Sequence, residues 1–217
     1  MLVGVLSDIH GNQPALEAVL ADMPDVDALV CAGDVVGYNP WPAACVDALR
    51  DREVPTVMGN HDRAVVSETG FGFNSMAGAG VRYAREQLSK PQLAWLERLP
   101  TQRTVNDIQL VHGHPDDPDR YTYPAMFSES LLGETTALVM GHTHVQHHEQ
   151  YDSGVILNPG SVGQPRDGNP DAAYALLDTD TLDVEERRVS YDIERVVTAV
   201  REAGLPDEIG TRLRKGR

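Results

Sequence analysis

The chain has 217 residues and a formal net charge of −15, with 41% hydrophobic and 24% charged residues. That length suits one sizeable domain, or at most two small ones, with a real buried core, and no apolar run reaches membrane-spanning length. Strong acidity repels polyanions and so disfavours nucleic acid as a partner. Asp outnumbers Glu, and Lys90 and Lys215 are the only lysines. Such a surface resembles that of proteins from salt-loving organisms, although high genomic GC content accounts for Arg over Lys equally well. No basic region followed by a long apolar stretch opens the chain. Met1 leads directly into a strand closed by Asp8, which points to a cytoplasmic protein. Cys31 and Cys45 lie in apolar surroundings without the paired spacing of a thiolate zinc site, and read as buried free thiols.

In chain order, residues 2–6 read as a buried strand. Helical spacing follows at Leu16, Val19, Leu20 and Met23 and stops before Pro24. Residues 28–32 form a second strand ending at Gly33-Asp34. Pro40 and Pro42 introduce a helix through Cys45, Ala48 and Leu49. A third strand is expected at 56–58, closing on Gly59-Asn60-His61-Asp62. Residues 63–100 are mainly helical, with PQLAWLERL the clearest helix after a Gly-rich stretch from Phe71 to Gly80. Val105 and the alternating Ile108 and Leu110 predict a hairpin across Asn106-Asp107. Residues 113–135 form a loop expected to face substrate, and 137–140 a further buried strand. From His144 onward the short segments VQHHEQY, GVIL, AAYALLD and LDVEERRV predict a second, more antiparallel sheet. A last helix with Ile193, Val196, Val197 and Val200 on one face packs over it, and residues 204–217 read as a polar, frayed tail. A single domain over 1–217 is expected.

Five of the apolar runs end in potential metal ligands: Asp8 and His10; Asp34; Asn60 and His61; His112 and His114; His142 and His144. Six of the eight histidines fall in these stretches, and imidazoles recurring at strand ends are not explained by turn formation. Strands placed side by side would gather the clusters on one rim, where open α/β sheets bind ligands. Carboxylate, amide and imidazole donors without thiolate suit divalent Mn, Fe, Co or Zn. Two such ions ~4 Å apart can clamp the attacking and leaving oxygens of a phosphoryl transfer, with a bridging water as nucleophile. Asp34 is the single acidic residue available in the second cluster to bridge them. No activated protein nucleophile stands out.

Taken together, Asp8-Ile9-His10, Gly33-Asp34, Gly59-Asn60-His61-Asp62, Val111-His112-Gly113-His114 and Gly141-His142-Thr143-His144, in this order, resemble the calcineurin-like metallophosphoesterases. Asn158-Pro159-Gly160-Ser161-Val162-Gly163, followed by Gln164-Pro165-Arg166, resembles the smaller prokaryotic phosphodiesterase-type members. The resemblance implies an α/β (α+β) fold, a four-layer α/β/β/α sandwich of two mixed sheets flanked by helices. It also implies two divalent ions, Mn first and Fe, Zn, Co or Ni as others. One would be held by Asp8, His10 and His144, the other by Asn60, His112 and His142, with Asp34 bridging. His61 would stand beside them as the catalytic residue, stabilising or protonating the leaving oxygen.

Protein serine/threonine phosphatases of this superfamily carry Gly-Asp-x-x-Asp-Arg-Gly at the second cluster. Here the run is Gly33-Asp34-Val35-Val36-Gly37-Tyr38-Asn39, so the carboxylate that orients the histidine and the arginine that grips phosphate are both replaced. A phosphoprotein phosphatase is therefore disfavoured, and what orients His61 stays open, Asp62 being nearest in sequence. Arg166, Tyr38 and His114 are candidate substrate contacts, and Tyr121, Tyr123 and Phe127 could complete an aromatic wall with Tyr38. His147 and His148 read as surface residues. The expected activity is a binuclear phosphodiesterase on small nucleotide-like substrates, acting through a metal-bridging hydroxide. A phosphomonoesterase or dinucleoside polyphosphate hydrolase is the near alternative; a nuclease and a catalytically silent metal-binding scaffold rank below. The expected partner is a small phosphate ester, with no membrane, and with room for a homo-oligomer.

Overall fold

The computed structural model describes residues 1–67 and 75–217. β1 (Leu2–Leu6), α1 (Gln13–Asp22), β2 (Ala28–Cys31) and α2 (Pro42–Arg50) follow the predicted alternation. The Asn12 side chain starts α1 by accepting from the Ala15 amide at 3.3 Å. Pro14 and Pro42 fall in first helical turns, where a missing N–H leaves nothing unpaired. The expected third strand at 56–58 is not formed. It reduces to a single parallel bridge between Thr56 and Cys31. Pro55 has no N–H for a ladder, and the Met58 amide is drawn away to the Pro100 carbonyl at 2.7 Å. α3 (Asn60–Ser67), α4 (Ser75–Gln87) and α5 (Lys90–Glu97) make up the helical region. The part of the predicted Gly-rich stretch before Ser75 lies outside the described residues.

β3 (Gln102–Val105) and β4 (Ile108–Val111) form the expected hairpin. Asn106 and Asp107 supply φ values of 47° and 66° at its turn, the left-handed pair that a two-residue loop needs. Next come β5 (Ala137–Val139), β6 (His147–Tyr151), β7 (Gly154–Asn158), β8 (Ala172–Asp178) and β9 (Val184–Val189). The strands pair as β2-β1-β8-β9 and β3-β4-β5-β7-β6, and both sheets are mixed. The strands beyond His144 therefore do not build a sheet of their own. β6 and β7 extend the sheet of β4 and β5, while β8 and β9 extend that of β1. β7 is buried along its whole length and β8 along nearly all of it, and strands buried on both faces take central places.

Period-two alternation sets the layers. Val3, Val5, Ala175 and Leu177 of one sheet meet Leu110, Val139, Val155 and Leu157 of the other. The opposite faces of β1 and β8 send Leu6, Tyr174 and Leu176 against α1 to α5. On the far side, Leu138, Met140 and Ile156 are covered by Phe127 and Leu132, next to the short 3-10 turns at Pro124–Met126 and Glu129–Leu131, so the fourth layer is thin.

The predicted frayed tail is a third correction. α6 (Ile193–Glu202) is followed by α7 (Asp207–Thr211) and a 3-10 turn at Arg212–Lys215. Ile209 and Leu213 are fully buried and join Leu205, Val196, Val200, Tyr38 and Ala77 in one cluster. α6 thus packs on the tail and on the Tyr38 loop, rather than over a separate antiparallel sheet. Cys31 and Cys45 are buried free thiols, as expected. His147 and His148 lie on β6, with His148 paired to Glu186 at 2.7 Å near the surface. No helix among the described residues is long and apolar enough to cross a membrane.

Candidate metal centre

The five ligand-bearing loops meet at one edge of the two packed sheets. β1, β2 and the Thr56 bridge deliver three of them, and β4 and β5 the other two, so the rim is built across the sandwich and not along five adjacent strands. Backbone hydrogen bonds lock the loops together: Asp8 N–H to Gly33 O and His10 N–H to Asp34 O, both at 2.9 Å, and Gly141 N–H to His112 O at 2.8 Å. Asp8, His10, Asp34, Tyr38, His142 and His144 all have φ between 50° and 67°. Left-handed backbone at a residue with a β-carbon costs about 1–3 kcal/mol and is characteristic of functional sites. Here it turns successive side chains out of the strand ends toward a common point.

Hydrogen bonds fix which imidazole nitrogen looks inward. His10 Nδ1 faces the Val36 carbonyl (3.2 Å), His112 Nδ1 that of Ala32 (2.8 Å), His144 Nδ1 that of Gln164 (2.6 Å) and His142 Nε2 that of Asp119 (3.2 Å). A carbonyl only accepts, so the proton is on the nitrogen facing it, and the other nitrogen presents a lone pair to the centre. Those lone pairs converge. His10 Nε2 is 3.1 Å from His144 Nε2, and His142 Nδ1 is 3.2 Å from His112 Nε2. His112 Nε2 in turn lies 3.1 Å from Asn60 Oδ1 and 3.3 Å from Asp34 Oδ2.

The carboxylates are oriented the same way. Ser7 Oγ and the His142 amide hold Asp8 Oδ2 at 2.7 and 3.0 Å. Asp8 Oδ1 faces His144 Nε2 at 3.2 Å, buried and without a hydrogen-bond partner among the described residues. Asp34 Oδ1 accepts from the His61 amide at 2.8 Å, which leaves Oδ2 between His10 (3.7 Å) and His112 (3.3 Å). Donor atoms of Asp8, His10 and His144, of His10, Asp34 and His61, and of Asp8, Asp34 and His112 lie within 4.8 Å of one another. Lone pairs at these separations repel unless a cation is shared between them, so the donor set fits divalent metal.

The site's charges answer to the same crowding. Burial pushes His61 and His142 down to about 4 and His10 well below the usual imidazole range. Burial opposes protonation of His112 too, but the Asp34 and Asp8 carboxylates raise it to about 10, so its inward nitrogen keeps a proton until a metal ion displaces it. Burial would raise Asp34, yet the His112, His61 and His10 imidazoles hold it well below the usual carboxylate range. The carboxylates thus demand positive charge within a buried nest.

Above the donors lies a cleft of about 210 Å³, lined by Tyr38, Ala77, Tyr121, Arg166 and Arg212 together with Asp34, Asn60, His61, His142 and His144. Arg166 donates to Gln164 Oε1 (2.9 Å) and to the Tyr38 hydroxyl (3.3 Å). Tyr121 stacks on His142 at 3.9 Å between centroids, and Tyr123 stacks on Tyr121 at 6.0 Å. Phe127 belongs to the core instead. His114 does not line the cleft. Its Nδ1 accepts from the Asp116 amide at 3.1 Å and its backbone pairs with Asp117, so it shapes the 113–120 loop.

A family domain, that of the calcineurin-like phosphoesterase superfamily, matches residues 1–182, which carry every donor above. The chain belongs to this superfamily. A metallophosphoesterase of solved structure from Sphaerobacter thermophilus is 36% identical, with a TM-score of 0.89 over 100% of this chain and 99% of that one. The Escherichia coli K12 phosphodiesterase YfcE is 32% identical over 193 residues, covering 82% of this chain and 88% of its own length. An uncharacterized protein from Methanocaldococcus jannaschii is 30% identical over 240 residues, covering 100% of this chain and 98% of its own. With the superfamily come the two mixed sheets flanked by helices, a divalent-metal requirement and the reaction class, hydrolysis of phosphate esters.

In this calcineurin-like phosphoesterase the altered second cluster acts on His61 by packing. Gly37 has φ 101°, and a β-carbon there would come within 2.5 Å of His61 Nδ1, so only glycine lets the ring close against the loop. The Tyr38 and His10 rings flank it, with centroids at 4.7 and 4.8 Å. Asp62 accepts from the Val36 and Gly59 amides at 3.1 and 3.0 Å and so braces the two loops on either side. Arg212 is the charged lining residue that sequence reasoning missed, with Ala77 beside it. It lies beyond the family domain, in the tail read as frayed, and the signal for it was the four-residue recurrence of Leu205, Ile209 and Leu213.

Proposed function

We propose that the chain is a binuclear metal-dependent phosphodiesterase acting on small nucleotide-like phosphate esters in the cytoplasm. The observation that carries this reading is the convergence of outward-anchored donors on both sides of Asp34 Oδ2. Asp8, His10 and His144 would hold one ion, Asn60, His112 and His142 the other, and Asp34 would bridge. Manganese is the first candidate on the family resemblance, and oxygen and nitrogen donors without thiolate suit it as they suit Fe, Co or Zn. Divalent ions bound there supply positive charge for the phosphoryl oxygens and an acidified water as nucleophile.

The remaining work falls to the chain's own side chains. His61, held beside Asp34 at the cleft floor, donates a hydrogen bond to the leaving oxygen, and a proton once the negative charge of a bound phosphate has raised it from about 4. Arg166 neutralises a phosphate oxygen at the wall, and the exposed face of Tyr121 offers a stacking surface for a base. The absence of the phosphatase arginine at Tyr38, the small cleft and the charge of −15 favour a small diester over a phosphoprotein or a nucleic-acid duplex. Similarity to the YfcE phosphodiesterase supports the diester preference.

The full chain should be assayed on bis(p-nitrophenyl) phosphate, p-nitrophenyl phosphate, a cyclic nucleotide and a dinucleoside polyphosphate, with Mn, Co, Zn or Mg supplied separately. A higher kcat/KM is expected on the diesters than on the monoester, and the highest values with Mn. A higher value on the monoester would make the protein a phosphomonoesterase, and no turnover with any pair would overturn the enzymatic reading.

A further inference from the structure

Arg166 and Arg212 are the cationic residues of the cleft wall, and they reach it from different parts of the fold. Arg166 lies in the loop between β7 and β8. Arg212 comes from the 3-10 turn after α7, outside the residues that match the family domain. The two segments are joined. The Gly168 amide donates to the Gly216 carbonyl at 3.0 Å. Gly216 has φ 57°, and a β-carbon on it would meet Asn169 backbone atoms at 2.4–2.7 Å, so the tail can lie this close only with glycine there. Buried Ile209 and Leu213 fix the turn from beneath.

Unlike the exposed Arg52, Arg98 and Arg103, which also lack an acidic partner among the described residues, Arg166 and Arg212 stand together in one cleft. Arg63, Arg188 and Arg214 are held by Asp119, Asp167 and Glu194, and Arg50, Arg187, Arg195 and Arg201 have acidic partners as well. Neither Arg166 nor Arg212 is paired with an Asp or Glu side chain among the described residues, although the chain has 33 acidic residues to draw on. Arg166 Nε is buried without a hydrogen-bond partner among the described residues. Arg212 donates Nε to the Arg217 carbonyl, which anchors the guanidinium and leaves its terminal nitrogens for the cleft. Burial, and next the Arg166 charge, lower Arg212 from the usual guanidinium value. Two like charges gathered in one small cleft, neither paired with an Asp or Glu side chain among the described residues, form a receptor for an anion.

We propose that Arg166 and the tail residue Arg212 form a two-guanidinium subsite for a second phosphate, so that the enzyme selects esters whose scissile phosphate adjoins another phosphate group. This deepens the phosphoesterase reading above and rests on it for the position of the scissile phosphate. The donor bed at His61 and Asp34 takes one phosphate, and the paired guanidiniums of the wall take its neighbour. A pyrophosphate-linked ester therefore fits better than a diester with a single phosphate.

The test has two arms, both on the Mn-loaded full chain. In the kinetic arm, kcat/KM for a dinucleoside diphosphate is compared with that for bis(p-nitrophenyl) phosphate. Arg212→Ala should lower the ratio by about tenfold or more, mainly through KM, and Arg212→Lys should recover part of it. Arg214→Ala, on the same turn but paired to Glu194, should leave the ratio unchanged. In the binding arm, calorimetry with inorganic pyrophosphate should show about tenfold weaker affinity for Arg212→Ala, with a smaller loss for inorganic phosphate. Equal losses on both substrates, the same effect from Arg214→Ala, or unaltered pyrophosphate affinity would overturn the subsite. Failure to hydrolyse any ester would overturn the proposed function, and pyrophosphate binding would still decide the subsite.

Discussion

Asp34→Ala should lower kcat/KM by well over the roughly 100-fold that loss of an outer hydrogen-bond partner costs a metal site. Asp34 is expected to do more than an outer partner does. Its Oδ2 lies between His10 and His112, and its Oδ1 holds the His61 amide. Removal also leaves His112 facing a buried region that has lost the negative charge raising its pKa to about 10. The variant should also lose most of the gain in thermal stability that added Mn gives the wild type, because a ligand stabilises only the state that binds it. Near-wild-type kcat/KM together with an undiminished Mn-dependent shift in Tm would refute the bridging role.

His61→Ala should behave differently. Its ring is packed by Gly37, Tyr38 and His10 beside the donors, and the role assigned to it is proton or hydrogen-bond donation to the leaving group. Such groups contribute about 10²–10⁴-fold, so kcat should fall by that much while metal content and KM change little. The fall should be smallest for esters with good leaving groups, such as p-nitrophenolate, which need least help. Equal rates for variant and wild type on an alkyl ester would remove His61 from the chemistry. Loss of metal together with activity would make it a ligand instead, as its grouping with His10 and Asp34 allows.

The difference between these residues shows what could be read from sequence. Asp8, His10, Asp34, His112, His142 and His144 were legible because each follows an apolar run that forms a strand, and strand ends are local features; Asn60 follows a run that makes only a single bridge. The sheet to which each strand belongs was not local. GVIL and AAYALLD are both buried on two faces, and only tertiary pairing sends one to β5 and the other to β1. The expected strand at 56–58 failed on a distant acceptor, the Pro100 carbonyl. The tail misled for a compositional reason: its charged and glycine residues mask the spacing of Leu205, Ile209 and Leu213, and Arg212 went unseen with it. His114 shares the motif of His112 but lies one residue beyond Gly113, where the chain turns into its own loop.

The most direct test of the central claim is the number of metal ions bound per chain. After loading with Mn and removal of excess, elemental analysis should give two ions per polypeptide for the wild type, with clear loss for Asp34→Ala. A ratio of one or less in the wild type, with full hydrolytic activity, would contradict a centre built around a bridging Asp34.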